Sequence, residues 1–396
     1  MTSVPAVQAG SEKGRSSQIA AGMAVMVTGC LPSFATAALA TRTGRDFIFG
    51  ETELGIAIAV FYVACTVLSA PGGRLVSAIG PRRAVWIGAG CTMAGCLGIA
   101  VLAQSAAALV ILLAITSGGN ALATPVASGL FQSELSPQRY GVAFGMQQAG
   151  APAGALVAGL MLPLIAIPLG WRWGYVLIAV AALLAALSVR PREAYVRKSV
   201  IDGNPVSVDR RVRATVWLLA VVAALASAAS MAMISFLVLY SVENGISESG
   251  AGFLLGLVSG GAVVSRIALG LYADRSEYPP LGIAAAMMAV SAFGYLALIS
   301  GTPAVIVAGA LLAGSLGWAW PGTLTLACVR IAPQAGPWAV GVMMSGLFAG
   351  CVIGPLTAGV LAESDAFAAV WWTAAAFALG AALIAGTVRK RAAAPV

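Results

Sequence analysis

Gly73-Arg74-Leu75-Val76-Ser77-Ala78-Ile79-Gly80-Pro81-Arg82-Arg83 joins two long apolar runs, 54–76 and 84–103. Each run matches the roughly 20 residues that a helix needs to cross a bilayer core. A second copy of its opening, Gly270-Leu271-Tyr272-Ala273-Asp274-Arg275, closes another such run at 249–273. Working outward, nine more runs appear, at 18–41, 106–131, 141–165, 171–189, 214–240, 281–300, 304–329, 338–361 and 367–388. Transmembrane strands would be about 10 residues long and would alternate in polarity. These runs are longer and do not alternate, so an all-α protein with twelve transmembrane helices is expected.

Composition agrees. Of 396 residues, 60% are hydrophobic and 9% are charged, against about 25% charged in a soluble domain. Such a chain cannot cover a globule with polar groups, which excludes a cytosolic enzyme, a nucleic-acid module and a disordered protein. Residues 1–17 are polar, and the first run is too long for a signal-peptide core, so a retained span is expected.

With the N-terminus in the cytoplasm, eighteen of the 22 Lys/Arg fall on the cytoplasmic side. Only Arg42, Arg45 and Arg172 fall outside. The positive-inside rule then sets both termini in the cytoplasm of a multi-pass cell-membrane protein. The net charge of +8 is read as loop retention, not as nucleic-acid binding. The 14 acids divide seven and seven between the two sides, and no run contains one.

A basic stretch, 190–213, with seven Lys/Arg, splits the chain into 1–189 and 214–396, six spans each. The halves repeat: Gly73 with Gly270, Pro125 with Pro321, and Gly145 with Gly341, at offsets of 197, 196 and 196. A duplicated bundle suits alternating access about a site between the copies.

On the two loop motifs, the twelve spans and the basic middle loop, the chain resembles the major facilitator superfamily. The family pattern is Gly-x-x-x-Asp-(Arg/Lys)-x-Gly-x-(Arg/Lys)-(Arg/Lys). Ser77 departs from it in the first copy, and Glu277 stands where the second copy should have Gly. The resemblance implies two six-helix bundles and a secondary transporter, with Gly73, Arg82, Arg83, Gly270, Asp274 and Arg275 as gating residues. Gly73 and Gly270 would allow close helix approach. Asp274 would supply a latch by pairing with Arg or capping a helix. For Arg82 and Arg83, a topology signal alone is the other reading.

Pro32, Pro125, Pro152, Pro321 and Pro355 interrupt spans, as in helices that kink beside a cavity or simply pack. Gly350-x-x-x-Gly354-Pro355 matches the superfamily's antiporter motif in letters but lies in span eleven, not span five. Within spans, Asn120, Gln147 and Gln148 are candidate substrate contacts or interhelical hydrogen-bond partners. The two glutamines point about 100° apart, so one of them should face the interior. Phe34, Tyr62, Phe236 and Trp318 are candidate aromatic contacts. Spans one, four, seven and ten line the cavity in the superfamily. Trp171, Trp173, Trp371 and Trp372 read as an interfacial belt. The six cysteines form no ligand cluster, so no metal and no cofactor are expected.

Arg266 is the one ionisable side chain deep within a span, eight residues or about 12 Å from Asp274. Such a residue needs an acceptor. With no carboxylate in any span, the acceptors are carbonyls, water or an anionic ligand. Two readings stand: a substrate carboxylate held by the guanidinium fork, or a structural bond to backbone. Ser265-Arg266-x-x-x-Gly270-x-x-x-Asp274 is similar to the monocarboxylate and oxalate transporter branch, where the resemblance makes this arginine the carboxylate ligand.

The expected function is therefore secondary transport of a small organic anion, substrate-bound at Arg266. The alternative is proton-coupled multidrug or metabolite efflux, which needs a membrane carboxylate. An enzyme would need a nucleophile–base pair or metal ligands at depth, and there is no His. Expected partners are a small-molecule substrate, with a coupling proton as an option, and the lipid bilayer. No nucleic acid is expected, and the chain is read as a monomer.

Overall fold

The computed structural model describes residues 12–134, 140–189, 209–276, 278–363 and 367–393. Among them, twelve helices are long and apolar enough to cross a membrane. In the first half these are α1 (Glu12–Ala38), α2 (Glu51–Ile79), α3 (Pro81–Leu102), α4 (Ala106–Glu134), α5 (Tyr140–Met161) and α6 (Trp171–Ser188). In the second they are α7 (Arg210–Glu243), α8 (Glu248–Arg275), α9 (Pro280–Leu298), α10 (Pro303–Ile331), α11 (Gly336–Glu363) and α12 (Phe367–Ala393). Residues 190–208 of the basic stretch, with Arg139 and Glu277, lie outside the described residues. α7 starts four residues before the expected 214, because Asp209 caps it by accepting from the Arg211 N–H at 2.9 Å.

Local chemistry sets the other ends. The Glu53 carboxylate accepts from the Gly50 N–H at 2.9 Å at the start of α2. The Ser247 hydroxyl accepts from the Gly250 N–H at 3.1 Å at the start of α8. Gly80, at φ +83°, is the single residue between α2 and α3, and Pro81 opens α3 with its preset φ. That turn lies inside the quoted loop motif, so the motif's Gly-Pro is first of all a corner.

The helices form two six-helix bundles. In the first, α4 packs on α1, α2 and α3. In the second, α7 packs on α11 and α12, and α9 packs on α12. Side chains such as Val101, Ile111, Leu184, Leu257, Phe293 and Leu383 point outward, as a lipid-facing belt requires. Small residues carry the tight seams, since no hydrophobic force draws helices together within lipid. A Cβ on Gly346, Gly350 or Gly354 of α11 would come within 2.0–2.2 Å of the Ala220, Ala224 or Ala228 carbonyl oxygen of α7. The antiporter-like letters thus form a packing ridge inside one bundle.

The bundles meet along α5–α8 and α2–α11. On α5–α8, a Cβ on Gly145 would meet the Arg266 carbonyl at 2.7 Å, and one on Gly159 would meet the Gly256 nitrogen at 2.6 Å. A Cβ on Gly145 would also lie 3.7 Å from Gly270 Cα, an ordinary contact. On α2–α11 a Cβ on Gly55 would lie 2.5 Å from the Pro355 carbonyl, but one on Gly73 or Gly341 would meet nothing within 4 Å. The Cβ direction of Gly73 is thus open. The end carrying Gly55 is also tied by charge. Glu248 accepts from Arg42 Nε at 2.7 Å and pairs with Arg45, and Thr52 donates to Glu363. The Gly55 end is closed by backbone contact and by charge.

α10 is not continuous. Pro303–Ala310 passes into a π-helical Leu311–Leu316 and a 3₁₀ turn Gly317–Ala319 before Trp320–Ile331 resumes. The break has no counterpart in the sequence reading. It falls where α10 packs tightest: Cβ atoms on Gly314 and Gly317 would lie 2.1 Å from a Val258 methyl and 2.2 Å from Ser291 Cβ.

Candidate functional site: a central cavity with a buried arginine

Between the bundles lies a cavity of about 110 Å³. The first bundle supplies Met26, Cys30 and Phe34 from α1, Tyr62 from α2, Asn120 and Thr124 from α4, and Gln148 and Ala151 from α5. The second supplies Ser227 and Met231 from α7, Arg266 from α8, Trp318, Trp320 and Pro321 from α10, and four residues of α11, Met344 to Cys351. A larger depression of about 500 Å³, lined by Leu156, Leu160, Phe253, Leu257 and Val307 among others, has an apolar wall facing outward and no polar side chain to fix a solute.

Arg266 is 4% exposed and joins three helices. Its Nε and Nη2 donate to the Trp318 carbonyl at 3.1 and 2.8 Å, and Nη1 donates to the Gln148 carbonyl. The guanidinium carbon lies 4.7 Å from the centre of the Trp318 ring, a cation–π stack. Trp318 in turn meets Phe34 edge to face at 6.3 Å, closing the cavity between the bundles. The acceptors the sequence demanded are thus backbone carbonyls. They satisfy donors but carry no formal charge, and no Asp or Glu is among the cavity's lining residues.

Three of the five guanidinium N–H donors are used in this way. Nearby, Asn120 Nδ2 donates to Cys65 Sγ at 3.3 Å, leaving the amide oxygen of this half-buried residue beside the cavity. Ser227 donates to the Leu347 carbonyl at 2.9 Å across the α7–α11 seam.

Of the expected contacts, Phe34, Tyr62, Asn120, Gln148, Arg266 and Trp318 come together here. Gln147 does not line the cavity, so the neighbouring glutamines divide as their 100° offset requires. Phe236 is a correction: it is fully buried in the core five residues beyond Met231, toward the closed end. Arg82, Arg83 and Arg275 are exposed; the Asp274 and Ser77 side chains lie outside the described part. The aromatic belt is also corrected. Trp173 and Trp372 are exposed, but Trp371 is fully buried and Trp171 turns inward to donate to Asp46 at 2.9 Å.

Of the other lining residues, Met26 and Thr124 are within reach of periodicity from Phe34 and Asn120, whereas Ser227, Met231, Met344 and Phe348 lie on α7 and α11, where no lining residue is marked in the sequence. Met26, Cys30 and Phe34 are four apart, as are Asn120 and Thr124. One correct residue on a helix names its neighbours on the same face.

The family model described as Major Facilitator Superfamily matches residues 18–296 and, again, 216–395. A solved structure of a bacterial homolog of the human lysosomal transporter Spinster, in an inward-facing and occupied conformation, is similar in fold. Its TM-score is 0.71 at 17% identity, covering 96% of this chain and 98% of that one. No curated protein matches by sequence.

Proposed function

The chain belongs to the major facilitator superfamily, and on that premise we propose that it carries a small organic anion, a carboxylate, with Arg266 as the counter-ion. As a member it is a multi-pass membrane secondary transporter of a small-molecule substrate, not an enzyme. The observation that carries the anion reading is a buried guanidinium lining the cavity with neutral acceptors alone. A charge taken out of water costs several kcal/mol unless it is compensated, and carbonyl dipoles leave the formal positive charge in place. A carboxylate entering the cavity cancels it.

The rest of the lining suits an apolar body. Phe34, Trp318 and Phe348 offer ring faces, and Met26, Met231 and Met344 offer adaptable thioethers. In the orientation that the Lys/Arg distribution favours, both termini are on the cytoplasmic side of the cell membrane. The end tied by Glu248 then faces outward, and alternating access requires α2–α11 to open at Gly55. Proton-coupled efflux would need a proton carrier in the cavity, and no carboxylate is among its lining residues.

The test is a thermal-shift series on purified protein with benzoate, other monocarboxylates and benzamide, followed by uptake into proteoliposomes. Benzoate should stabilise and benzamide should not. Arg266→Lys keeps the charge but loses the fork, and should retain part of the shift and part of the uptake. Arg266→Ala should lose both. Uptake by Arg266→Ala at the normal rate would end the anion reading.

A further inference from the structure

We propose that Pro152 and Pro321 are positioning residues for Arg266: Pro152 removes the α-helical donor of the Gln148 carbonyl, and Pro321 the 3₁₀ donor of the Trp318 carbonyl, the two oxygens that the guanidinium binds. The role given to the positioned group rests on the anion reading above; the docking itself does not.

In an α-helix the carbonyl of residue i accepts from the N–H of residue i+4. For Gln148 that residue is Pro152, which has no N–H and whose ring crowds this same carbonyl. α5 is helical through both positions, so the Gln148 oxygen has no donor in its own helix. Trp318 lies in the 3₁₀ turn Gly317–Ala319, where the i+3 partner is Pro321, so the turn supplies no donor to its carbonyl; the i+4 residue, Gly322, keeps its N–H. Both carbonyls are far from the helix ends, where capping groups or water would serve them. Arg266 answers both: Nη1 donates to Gln148, and Nε and Nη2 donate to Trp318. The acceptors are backbone atoms, so proline creates them and the side chains at 148 and 318 do not.

The two prolines belong to different bundles. The Trp318 bonds stay within the second bundle, while the Gln148 bond crosses to α5. Gly145, against the Arg266 carbonyl, lets α5 and α8 come near enough for the bond to form. The guanidinium is thereby held from both bundles, with two N–H donors left for a ligand. Its orientation is complete only while α5 and α8 pack as they do here. Relative movement of the bundles that breaks the Gln148 bond loosens the site, which links anion affinity to conformation.

A double-mutant cycle on the full-length purified protein tests this without any ligand. Arg266→Ala takes the donor from two carbonyls and also removes a buried charge; the second effect is common to every background and cancels in the cycle. In a Pro152→Ala background Arg266→Ala should therefore lower the melting temperature less than in the wild-type background, because the substituted residue gives the Gln148 carbonyl a helical N–H donor. Pro321→Ala provides a second, independent cycle should Pro152→Ala fold poorly. In a Gln148→Ala background the drop should be unchanged, since the acceptor is backbone. Equal drops in the wild-type and both proline backgrounds would overturn the proposal. The functional arm uses benzoate and benzamide as probes. Pro152→Ala should weaken the benzoate-induced shift about tenfold in apparent affinity and leave any benzamide response alone, whereas a proline that merely shapes the helix would move both alike. Absence of a benzoate shift in the wild type, with the cycle still non-additive, removes the anion reading and keeps the docking.

Discussion

Replacing Gly55 with alanine should move the protein out of the conformation described here without unfolding it. The added Cβ would lie 2.5 Å from the Pro355 carbonyl oxygen, and 3.3 Å from both the Pro355 carbonyl carbon and Gly359 Cα. Ordinary contact begins near 3.4 Å, so α2 and α11 must part locally by about 0.9 Å. Both partners are helix backbone, which cannot swing aside as a side chain would. Overpacking of this kind costs about 1–3 kcal/mol, and the cost falls only on the conformation in which these ends touch. The helix-propensity gain of alanine over glycine applies to both conformations and cancels. A bias of 1–3 kcal/mol changes a two-state ratio roughly 5–150-fold. Hydrogen exchange read by mass spectrometry on the native chain should therefore speed up at the start of α2 and the end of α11. Gly73→Ala is the control: its Cβ meets nothing within 4 Å, so it should leave exchange unchanged in this conformation. Wild-type exchange in Gly55→Ala, or an equal response from Gly73→Ala, would refute the close contact between α2 and α11 at Gly55.

The fold was legible because the bilayer imposes a length, and twelve runs meet it. What the sequence reading missed depends on tertiary contact. The start of α7 was set late because Arg210, Arg211 and Arg213 mark where hydrocarbon stops, while a helix capped by Asp209 continues beyond it. The break in α10 lies in Leu311–Ala319, where hydropathy is uniform and only packing of Gly314 and Gly317 against Val258 and Ser291 distinguishes it. Trp371 and Trp372 look alike as letters, yet a 100° step puts the first in the core and the second at the surface.

The site was legible to the extent that it depends on charge. Arg266 stood out because nothing in any span balances it, and the structure places it in the cavity wall. Its acceptors were harder to see, since a carbonyl is present at every position. Proline narrows the choice: Pro152 leaves Gln148 without a donor, and this is the oxygen that Nη1 finds. In the sequence the aromatics are distinguished by depth alone. Depth does not fix the direction a side chain faces: Phe34, Trp318 and Phe236 all belong to one buried cluster, but only the first two line the cavity.

Three further outcomes are expected. Glu248→Gln removes the charge that holds Arg42 and Arg45 across the closed end; each such partly exposed pair contributes up to about 1 kcal/mol, so exchange around Ala40–Thr43 and the start of α8 should rise several-fold. The Asp46 carboxyl is held below the usual carboxylate range by the Trp171 indole and by Arg172, so its contribution is present above about pH 4 and is lost as pH falls through the lowered folded value; the melting-temperature gap between wild type and Asp46→Asn should be full at neutral pH and close in acid. Gly350→Ala should behave in the opposite way to Gly55→Ala. Its Cβ would lie 2.1 Å from the Ala224 carbonyl, but α7 and α11 belong to one bundle and stay together in both conformations. The overpacking cost, at or above about 3 kcal/mol, then falls on the folded state as a whole, lowering melting temperature and yield while leaving the pattern of exchange at the two ends unchanged. A Gly350→Ala protein with wild-type stability and a shifted end-to-end exchange pattern would mean that these glycines act between conformations, as a gating motif does, and not as a seam within one bundle.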